Sequence, residues 1–205
     1  MASPEAAAQG ITRRVTIASA LWPELYGRSL KDMASAYDVI VIGRVVSAED
    51  ISDILPTLVP EAPDDGEPPP PDHPKAQLTP ISGQSDGVPV MTRYSVEVAK
   101  AIKGVGVKAG DSIPVAQSGG VKDRVAYEVE GSPVIEVGKT YLFFLDRDDQ
   151  LGWYEGAPFG RFVLDAAGRI QPVDAEWSTL PAVAALTGIP SDKAAAEIAA
   201  ALAPR

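Results

Sequence analysis

The 205-residue sequence contains no cysteine, no asparagine and a single histidine, His73. Without cysteine there is no disulfide framework, thiolate zinc site, iron–sulfur cluster or cysteine nucleophile. One histidine cannot supply a site with several imidazole ligands from one chain, and without asparagine there is no N-glycosylation sequon. His73 stands between Pro71 and Pro74, which favours a solvated loop histidine over a catalytic base held against a nucleophile.

Positive charge and long apolar runs are also scarce. The chain has 28 acidic and 18 basic residues, a net charge of −10, which argues against nucleic acid or an anionic membrane surface as the main partner. No apolar run approaches the roughly 20 residues that span a bilayer, so we predict no transmembrane segment. Arg13-Arg14 followed by Val15 to Trp22 hints at a signal peptide, but Pro23-Glu24 stops the run and no cleavage site is clear.

Proline, in contrast, is abundant in one acidic stretch. Ten of the 19 prolines lie between Pro56 and Pro89, and nine acidic residues against one basic residue lie between Ser47 and Val90. Prolines cannot donate to a strand ladder and like charges repel, so the pattern predicts a polyproline-type or disordered loop. The β pattern before it is too short to fold alone, which favours an insertion between two strands of one sheet over a domain linker.

The patterns that flank this insertion predict a helix and two strands. Ser29 is placed to cap a short helix that runs to Ala36, and the β-branched run from Tyr37 to Val46 predicts a central strand. Gly43 inside that run indicates a bulge or a sharp bend. Met91 to Lys103 alternates like a long strand that bends across two sheets. Its apolar face is expected to carry Tyr94, Val96, Val98 and Ile102.

The second half predicts more strands and then helices. Strands are expected over 111–117, 125–129, 140–145 and 151–155, with a polar turn from Asp146 to Gln150 and a hairpin over 161–173. The run Thr140 to Leu145 is apolar throughout and should be the most buried strand. Thr179 to Leu186 and Ser191 to Leu202 look helical. We expect a mainly β chain: an N-terminal extension (1–28), a small antiparallel barrel (29–175, with the insertion over 56–89) and a C-terminal helical extension (176–205).

Five segments in this order resemble a known domain. They are SLKDMASAYDVIVIGRVVSAE (Ser29 to Glu49), TRYSVEVAKAIKG (Thr92 to Gly104), the Gly110-Asp111 turn, YEVEGSPVIEVGKTYLFFL (Tyr127 to Leu145) and GRFVLDAAGRIQPV (Gly160 to Val173). Together they resemble a domain common in exported bacterial proteins and lipoproteins of unassigned function. They are similar, more distantly, to the netrin-like barrel of the tissue inhibitors of metalloproteinases, an OB-type fold.

The resemblance implies an OB-like or netrin-like barrel that is exported to the periplasm or cell surface and acts as an interaction module. Those inhibitors chelate a target's zinc through an N-terminal cysteine, which this chain lacks, so their mechanism does not carry over. We therefore expect a non-enzymatic module without a cofactor that presents barrel loops to a protein partner. The alternatives are a structural accessory subunit of an envelope or membrane-associated assembly, docked through its C-terminal helices, and a carboxylate-dependent hydrolase or transferase using Asp146, Asp148 and Glu155.

Aromatic residues next to an arginine mark the most plausible binding face. Interface hot spots are rich in aromatic side chains and arginine, and the chain places such residues together between Gly152 and Gly160 and just beyond. The partner-binding candidates are Trp153, Tyr154, Phe159 and Arg161. The alternative is that these side chains, with Phe162, fill the core of the barrel and its rim.

Three further patterns suggest sites but fit them poorly. Asp146, Asp148, Asp149 and Glu155 are calcium candidates, although Gln150, Leu151 and Ala157 stand where an EF-hand needs an oxygen ligand, glycine and glutamate, which favours a solvated turn. The glycine-rich segment from Lys103 to Ser112 matches no phosphate-binding loop and predicts a β-turn. Ser118 with Lys122 as base would need a buried lysine, whereas Lys122 lies in a polar loop sequence.

The acidic insertion generates the first testable prediction. Replacing residues 57–87 with a short Gly/Ser linker should leave the thermal stability unchanged or slightly higher, since a shorter loop costs less entropy to close. Thermal melts followed by circular dichroism of the two proteins measure this. Loss of the cooperative transition would show instead that the insertion packs on the domain.

Overall fold

A computed structural model describes residues 13–17, 29–52 and 90–203; His73 and the insertion from Pro56 to Pro89 lie outside these ranges. The helices are α1 (Leu30–Ala36), α2 (Pro181–Leu186) and α3 (Ser191–Leu202), with 3-10 turns at Pro158–Gly160 and Ala175–Thr179. The strands are β1 (Arg13–Ile17), β2 (Val39–Asp50), β3 (Met91–Lys103), β4 (Ser112–Ser118), β5 (Gly120–Lys122), β6 (Val125–Val129), β7 (Thr140–Asp148), β8 (Trp153–Glu155), β9 (Arg161–Leu164) and β10 (Ile170–Pro172).

Five strands close into a ring. The larger sheet runs β10-β9-β7-β2-β3-β4-β8, and β8 also pairs with β7, which joins β7, β2, β3, β4 and β8 into a barrel. The predicted mainly β barrel with a short helix before it and helices after it is confirmed. The pairs within the ring are antiparallel except β4–β8, which is parallel.

The long β2–β3 pair bends through bulges. Its register shifts between Ile42 and Gly43, which confirms the irregularity predicted at this glycine. A Cβ on Gly43 would lie 2.5 Å from a Val96 methyl carbon, so no larger residue fits. Because Ala99 is opposite no residue of β2, the alternation of β3 reverses there. The prediction that Ile102 shares a face with Tyr94, Val96 and Val98 is therefore wrong: Ile102 packs on the opposite side.

The insertion leaves and re-enters the barrel at one point. Asp50 at the end of β2 is paired with Thr92 near the start of β3. Beyond this pair the Ile51 N–H donates to the Met91 carbonyl at 3.0 Å, and the Ser52 hydroxyl accepts from the Met91 N–H at 3.1 Å. Residues 53–89, which contain the predicted insertion, thus connect two paired strands of one sheet.

Strand β7 separates two cores. The barrel-interior core receives side chains from every strand of the ring, including Tyr94, Phe143 and Leu145. The helix-side core lies on the other face of the sheet and includes Leu142 and Phe144. Residues Tyr141 to Leu145 are all at most 3% exposed, so the prediction that this run forms the most buried strand holds on both faces of the sheet.

Helix α1 is fixed at both ends by side chains. Ser29 is the predicted N-cap and its hydroxyl accepts from the Asp32 N–H at 3.1 Å, which satisfies one of the free N–H groups of the first turn. At the other end, the Lys103 ammonium donates to the carbonyls of Ala34 at 3.0 Å and Ser35 at 3.1 Å, and to that of Tyr37. The end of β3 thus holds the helix against the sheet.

The C-terminal helices complete the helix-side core. Helices α2 and α3 bury Leu186 and Ile198 completely, in the same cluster as Phe144. The preceding Trp177 donates its indole N–H to the Gly131 carbonyl at 2.7 Å, and a Cβ on Gly131 would lie 2.5 Å from the indole ring. The sequence predicts a C-terminal extension here, and in the structure its helices pack on the barrel. No helix of the described residues is long and apolar enough to cross a membrane.

Several boundaries differ from the sequence-based expectation, two of them in ways that change the topology. The sequence predicts that a polar turn starts at Asp146. This start is wrong, because β7 pairs with β8 and continues to Asp148. Arg13 to Ile17, predicted to belong to an N-terminal extension, form β1, which pairs in parallel with β6 in a second sheet ordered β1-β6-β5.

Because β7 is buried on both faces, truncating a large side chain on either face should lower the free energy of unfolding strongly. Phe143→Ala and Phe144→Ala should each lower the free energy of unfolding by about 3–5 kcal/mol, since each leaves a cavity in a different core. Val105→Ala, at a side chain that is 97% exposed, is the control and should change it by less than about 0.5 kcal/mol. Chemical denaturation measures all three; a cost below about 1 kcal/mol for both phenylalanines would contradict the two-core architecture.

Candidate partner-binding cleft

An open cleft of about 370 Å³ lies where β8 closes the ring. One wall is the turn that joins β3 to β4, with the first residues of β4, and the other wall comes from β7 and β8. Its lining residues are Gly106, Val107, Asp111, Ser112, Ile113, Pro114, Arg147, Gly152, Trp153 and Tyr154. Two of the four predicted partner-binding residues, Trp153 and Tyr154, are therefore brought together here.

The short strand β8 places its two aromatic side chains on opposite sides. Tyr154 lies between Val115 of β4 and Arg147 of β7 in the sheet, and its half-buried ring packs against the barrel-interior core. Trp153 faces the other way, is 5% exposed and packs with Ile51 and Ala116. Trp153 is thus mainly a fixed wall of the cleft, and Tyr154 has the more accessible ring.

Arg147 lines the cleft, and Val105 is the neighbour in sequence of a lining residue; neither was a candidate from the sequence. The Arg147 guanidinium pairs with the Asp149 carboxylate at 2.7 Å, and both side chains are more than half exposed. Val105, which immediately precedes the lining residue Gly106, is 97% exposed. Its place in a glycine-rich turn was the signal in the sequence for an exposed apolar residue beside the cleft, since such turns are usually polar. Nothing in the sequence pairs Arg147 with this turn.

The calcium candidates are engaged separately. The Asp148 carboxylate accepts from the N–H groups of Gln150 at 2.8 Å and Leu151 at 2.9 Å, an Asx-type turn that shapes the β7–β8 connection. Asp149 is paired with Arg147, and Glu155 accepts from the Trp153 indole N–H at 2.7 Å. Within the described ranges no group of three or more Asp, Glu or His side chains is placed to hold a metal ion. The β7–β8 pair makes Asp146 and Asp148 neighbours of Glu155, but not in an arrangement placed to hold a metal ion.

Glu155 is a partly buried carboxylate of β8 with a raised pKa. Burial raises its pKa, the hydrogen bond from Trp153 opposes that rise, and the negative charges of Asp148 and Asp146 add to it. Asp146 is directly opposite Glu155 in the β7–β8 pair. A hydrolase would need two carboxyl groups in contrasting environments facing one pocket. The cleft is instead lined by one carboxylate, Asp111, whose side chain accepts from the Lys108 N–H at 2.9 Å.

Phe159 and Arg161 lie inside the fold, which corrects their prediction as partner-binding residues. Phe159 is 2% exposed and contacts Trp177 edge-on, with ring centroids 6.0 Å apart. Arg161 is 6% exposed and donates to the Pro133 carbonyl. The core-filling alternative describes both side chains, because the 3-10 turn buries Phe159 in the helix-side core and the start of β9 turns Arg161 into the fold.

The remaining sequence candidates have structural roles or stand apart from the cleft. The segment from Lys103 to Ser112 forms a turn in which the Gly110 N–H donates to the Val98 carbonyl at 2.8 Å. Ser118 is exposed at the end of β4, and Lys122 lies on β5 near the Asp50 carboxylate. Neither contributes to the cleft.

Comparisons with known proteins provide no assignment for the cleft. No protein-family model, no curated protein and no solved structure matches this chain.

The environment of Glu155 predicts a pH dependence of stability. Its folded-state pKa lies above the ordinary 4.5, so in the window between the two values the unfolded chain binds fewer protons at this carboxyl than the folded chain. The contribution of Glu155 to the free energy of unfolding therefore falls as pH rises through this window.

Glu155→Gln should remove that fall, because glutamine keeps an acceptor for the Trp153 indole without taking a charge. Chemical denaturation across the window, compared with wild type and with the exposed control Glu197→Gln on α3, measures the difference. Identical pH profiles for wild type and Glu155→Gln would contradict the buried environment of this carboxyl.

Proposed function

We propose that this protein is a non-enzymatic exported binding module that presents the loops at one end of its barrel to a protein partner. The observation that carries the proposal is the composition of the cleft at β8, where a half-buried tyrosine and an accessible arginine line one opening. Tyrosine and arginine are enriched at the energetic centres of protein interfaces.

The shape of the cleft supports a protein partner over a small molecule. Small-molecule sites enclose most of their ligand in an apolar, concave pocket with a few fixed polar groups. Here the cleft is an open groove, and Arg147 in its lining forms an exposed ion pair with Asp149. A polar, solvent-accessible rim is usual in protein interfaces.

The finer fold assignment and the location also belong to the proposal. A closed five-stranded barrel supports an OB-like barrel, and the netrin-like relationship rests on the sequence resemblance of Ser29 to Val173. Export to the periplasm or cell surface rests on that same resemblance. The absence of cysteine removes the inhibitory mechanism of the netrin-like inhibitors, so the partner is not bound through a metal chelated by an N-terminal cysteine.

The burial of the C-terminal helices weakens the argument for an accessory subunit. It required apolar faces of the C-terminal helices to dock on neighbouring subunits, whereas Val183, Leu186 and Ile198 are all fully buried within the chain. An assembly would have to use another surface, and the cleft is one candidate, since its lining combines aromatic and arginine side chains.

The proposal predicts that truncating the tyrosine weakens partner capture. Immobilised wild type should retain a partner from an extract of the native source, and Tyr154→Ala should reduce its affinity about tenfold or more, the loss typical of an interface hot spot. Arg147→Ala should weaken retention of the same partner.

Tyr127→Ala is the matched control, since Tyr127 is also a half-buried tyrosine on a strand but lies on β6 outside the cleft. Near-ultraviolet circular dichroism should show that all variants keep the wild-type fold. Equal retention of the captured protein by wild type, Tyr154→Ala and Arg147→Ala would overturn the proposal for this cleft.

A further inference from the structure

The two charged side chains that line the cleft at β8 lie on opposite walls and differ in their partners. Asp111 comes from the β3–β4 turn and Arg147 from β7. The Arg147 guanidinium is paired with the Asp149 carboxylate at 2.7 Å, so its charge is already balanced. The Asp111 carboxylate accepts the backbone N–H of Lys108 at 2.9 Å, and no cation of the described residues pairs with it. The lining therefore carries one unbalanced charge, and that charge is negative.

The wall opposite Asp111 adds negative charge around the opening. Residues 146–155, which form the β7–β8 hairpin, carry four carboxylates against the single guanidinium of Arg147. An anionic group entering the cleft would meet this excess of negative charge. An apolar group would cover the Asp111 carboxylate without pairing it, which costs free energy. A cation is the ligand chemistry that pairs with Asp111 and is attracted by the hairpin.

The aromatic side chains of β8 suit the same chemistry. Trp153 and Tyr154 both line the cleft; Trp153 is a nearly buried wall, and the Tyr154 ring is half-buried. A guanidinium or ammonium group over an aromatic ring is attracted by the negative face of its π system. The apolar stem of arginine or lysine packs along such a surface while its charged head stays in a polar opening. The cleft volume of about 370 Å³ leaves room for one side chain of this kind.

We infer that the protein partner inserts one cationic side chain, arginine or lysine, into this cleft. Its charged head pairs with the Asp111 carboxylate, and its stem packs on Tyr154. Arg147, on the other wall with Asp149 as its counter-ion, contacts a different part of the partner. This inference rests on the proposed function, since it names the chemistry of the partner at the same site.

Binding of short peptides to the whole chain tests the inference without the native partner. The probes are acetylated and amidated Gly-Xaa-Gly tripeptides in which Xaa is arginine, lysine, citrulline, norleucine or glutamate. In NMR titrations of the isotope-labelled protein, the arginine or the lysine peptide should shift the amide signals of Gly106, Asp111 and Tyr154 along a saturating curve. Citrulline and norleucine resemble arginine and lysine in shape but carry no charge, so their peptides should bind about tenfold more weakly.

Asp111→Asn is the decisive variant, because asparagine keeps an acceptor for the Lys108 N–H and removes the charge. It should weaken binding of the cationic peptide about tenfold. Glu197→Gln removes one negative charge from an exposed position on α3 and should leave that binding unchanged. Equal affinities of wild type and Asp111→Asn would overturn the inference. So would equal binding of charged and uncharged peptides, a preference for the glutamate peptide, or no binding of any peptide.

A failure of this inference is separable from a failure of the proposed function. If the peptides contradict it while Tyr154→Ala still reduces retention of the captured partner, the cleft binds a partner of other chemistry and this inference alone fails. If Tyr154→Ala and Arg147→Ala both leave retention unchanged, the proposed function fails at this cleft and the inference fails with it.

Discussion

The apolar run Tyr141–Leu145 has no face that tolerates water, and the architecture follows from covering both of its sides. Phe143 and Leu145 are enclosed by the ring of strands, while Leu142 and Phe144 need a separate layer. That layer is supplied by α1 from before the barrel and by α2 and α3 from after it. An antiparallel sheet commonly leaves one face in water. Here the sequence of β7 removes that option and ties the helices to the barrel.

Polar side chains of the barrel hold the segment over residues 132–136. Gln117 donates to the Ser132 hydroxyl at 3.1 Å and to the Pro133 carbonyl at 3.0 Å, and accepts from the Ile135 N–H at 3.0 Å. The Tyr141 hydroxyl accepts from the Glu136 N–H at 3.0 Å. Residues 132–136 form no strand of the ring, so side chains must satisfy their backbone groups. Arg161 belongs to the same arrangement, which explains an arginine in a place where aliphatic residues would otherwise pack.

The opening of the cleft follows from the length of β8. Strand β8 has only three residues, so the barrel closes over a short length and leaves Tyr154 and Arg147 beside the β3–β4 turn.

The sequence alone determined the elements whose signals are local. The Ser29 cap, the bulge at Gly43, the buried run of β7 and the two C-terminal helices follow from residue pattern, because capping, backbone freedom and hydrophobic periodicity act over a few residues. It could not place Ile102, because one bulge reverses every later side chain of a strand. Nor could it separate Trp153 and Tyr154, which line the cleft, from Phe159 and Arg161, which are buried. Those outcomes depend on which strands become neighbours when the ring closes, and β4 meets β8 across about 40 residues of intervening chain. Pairings of such separation are decided by the packing of the whole core, so only the tertiary structure fixes them.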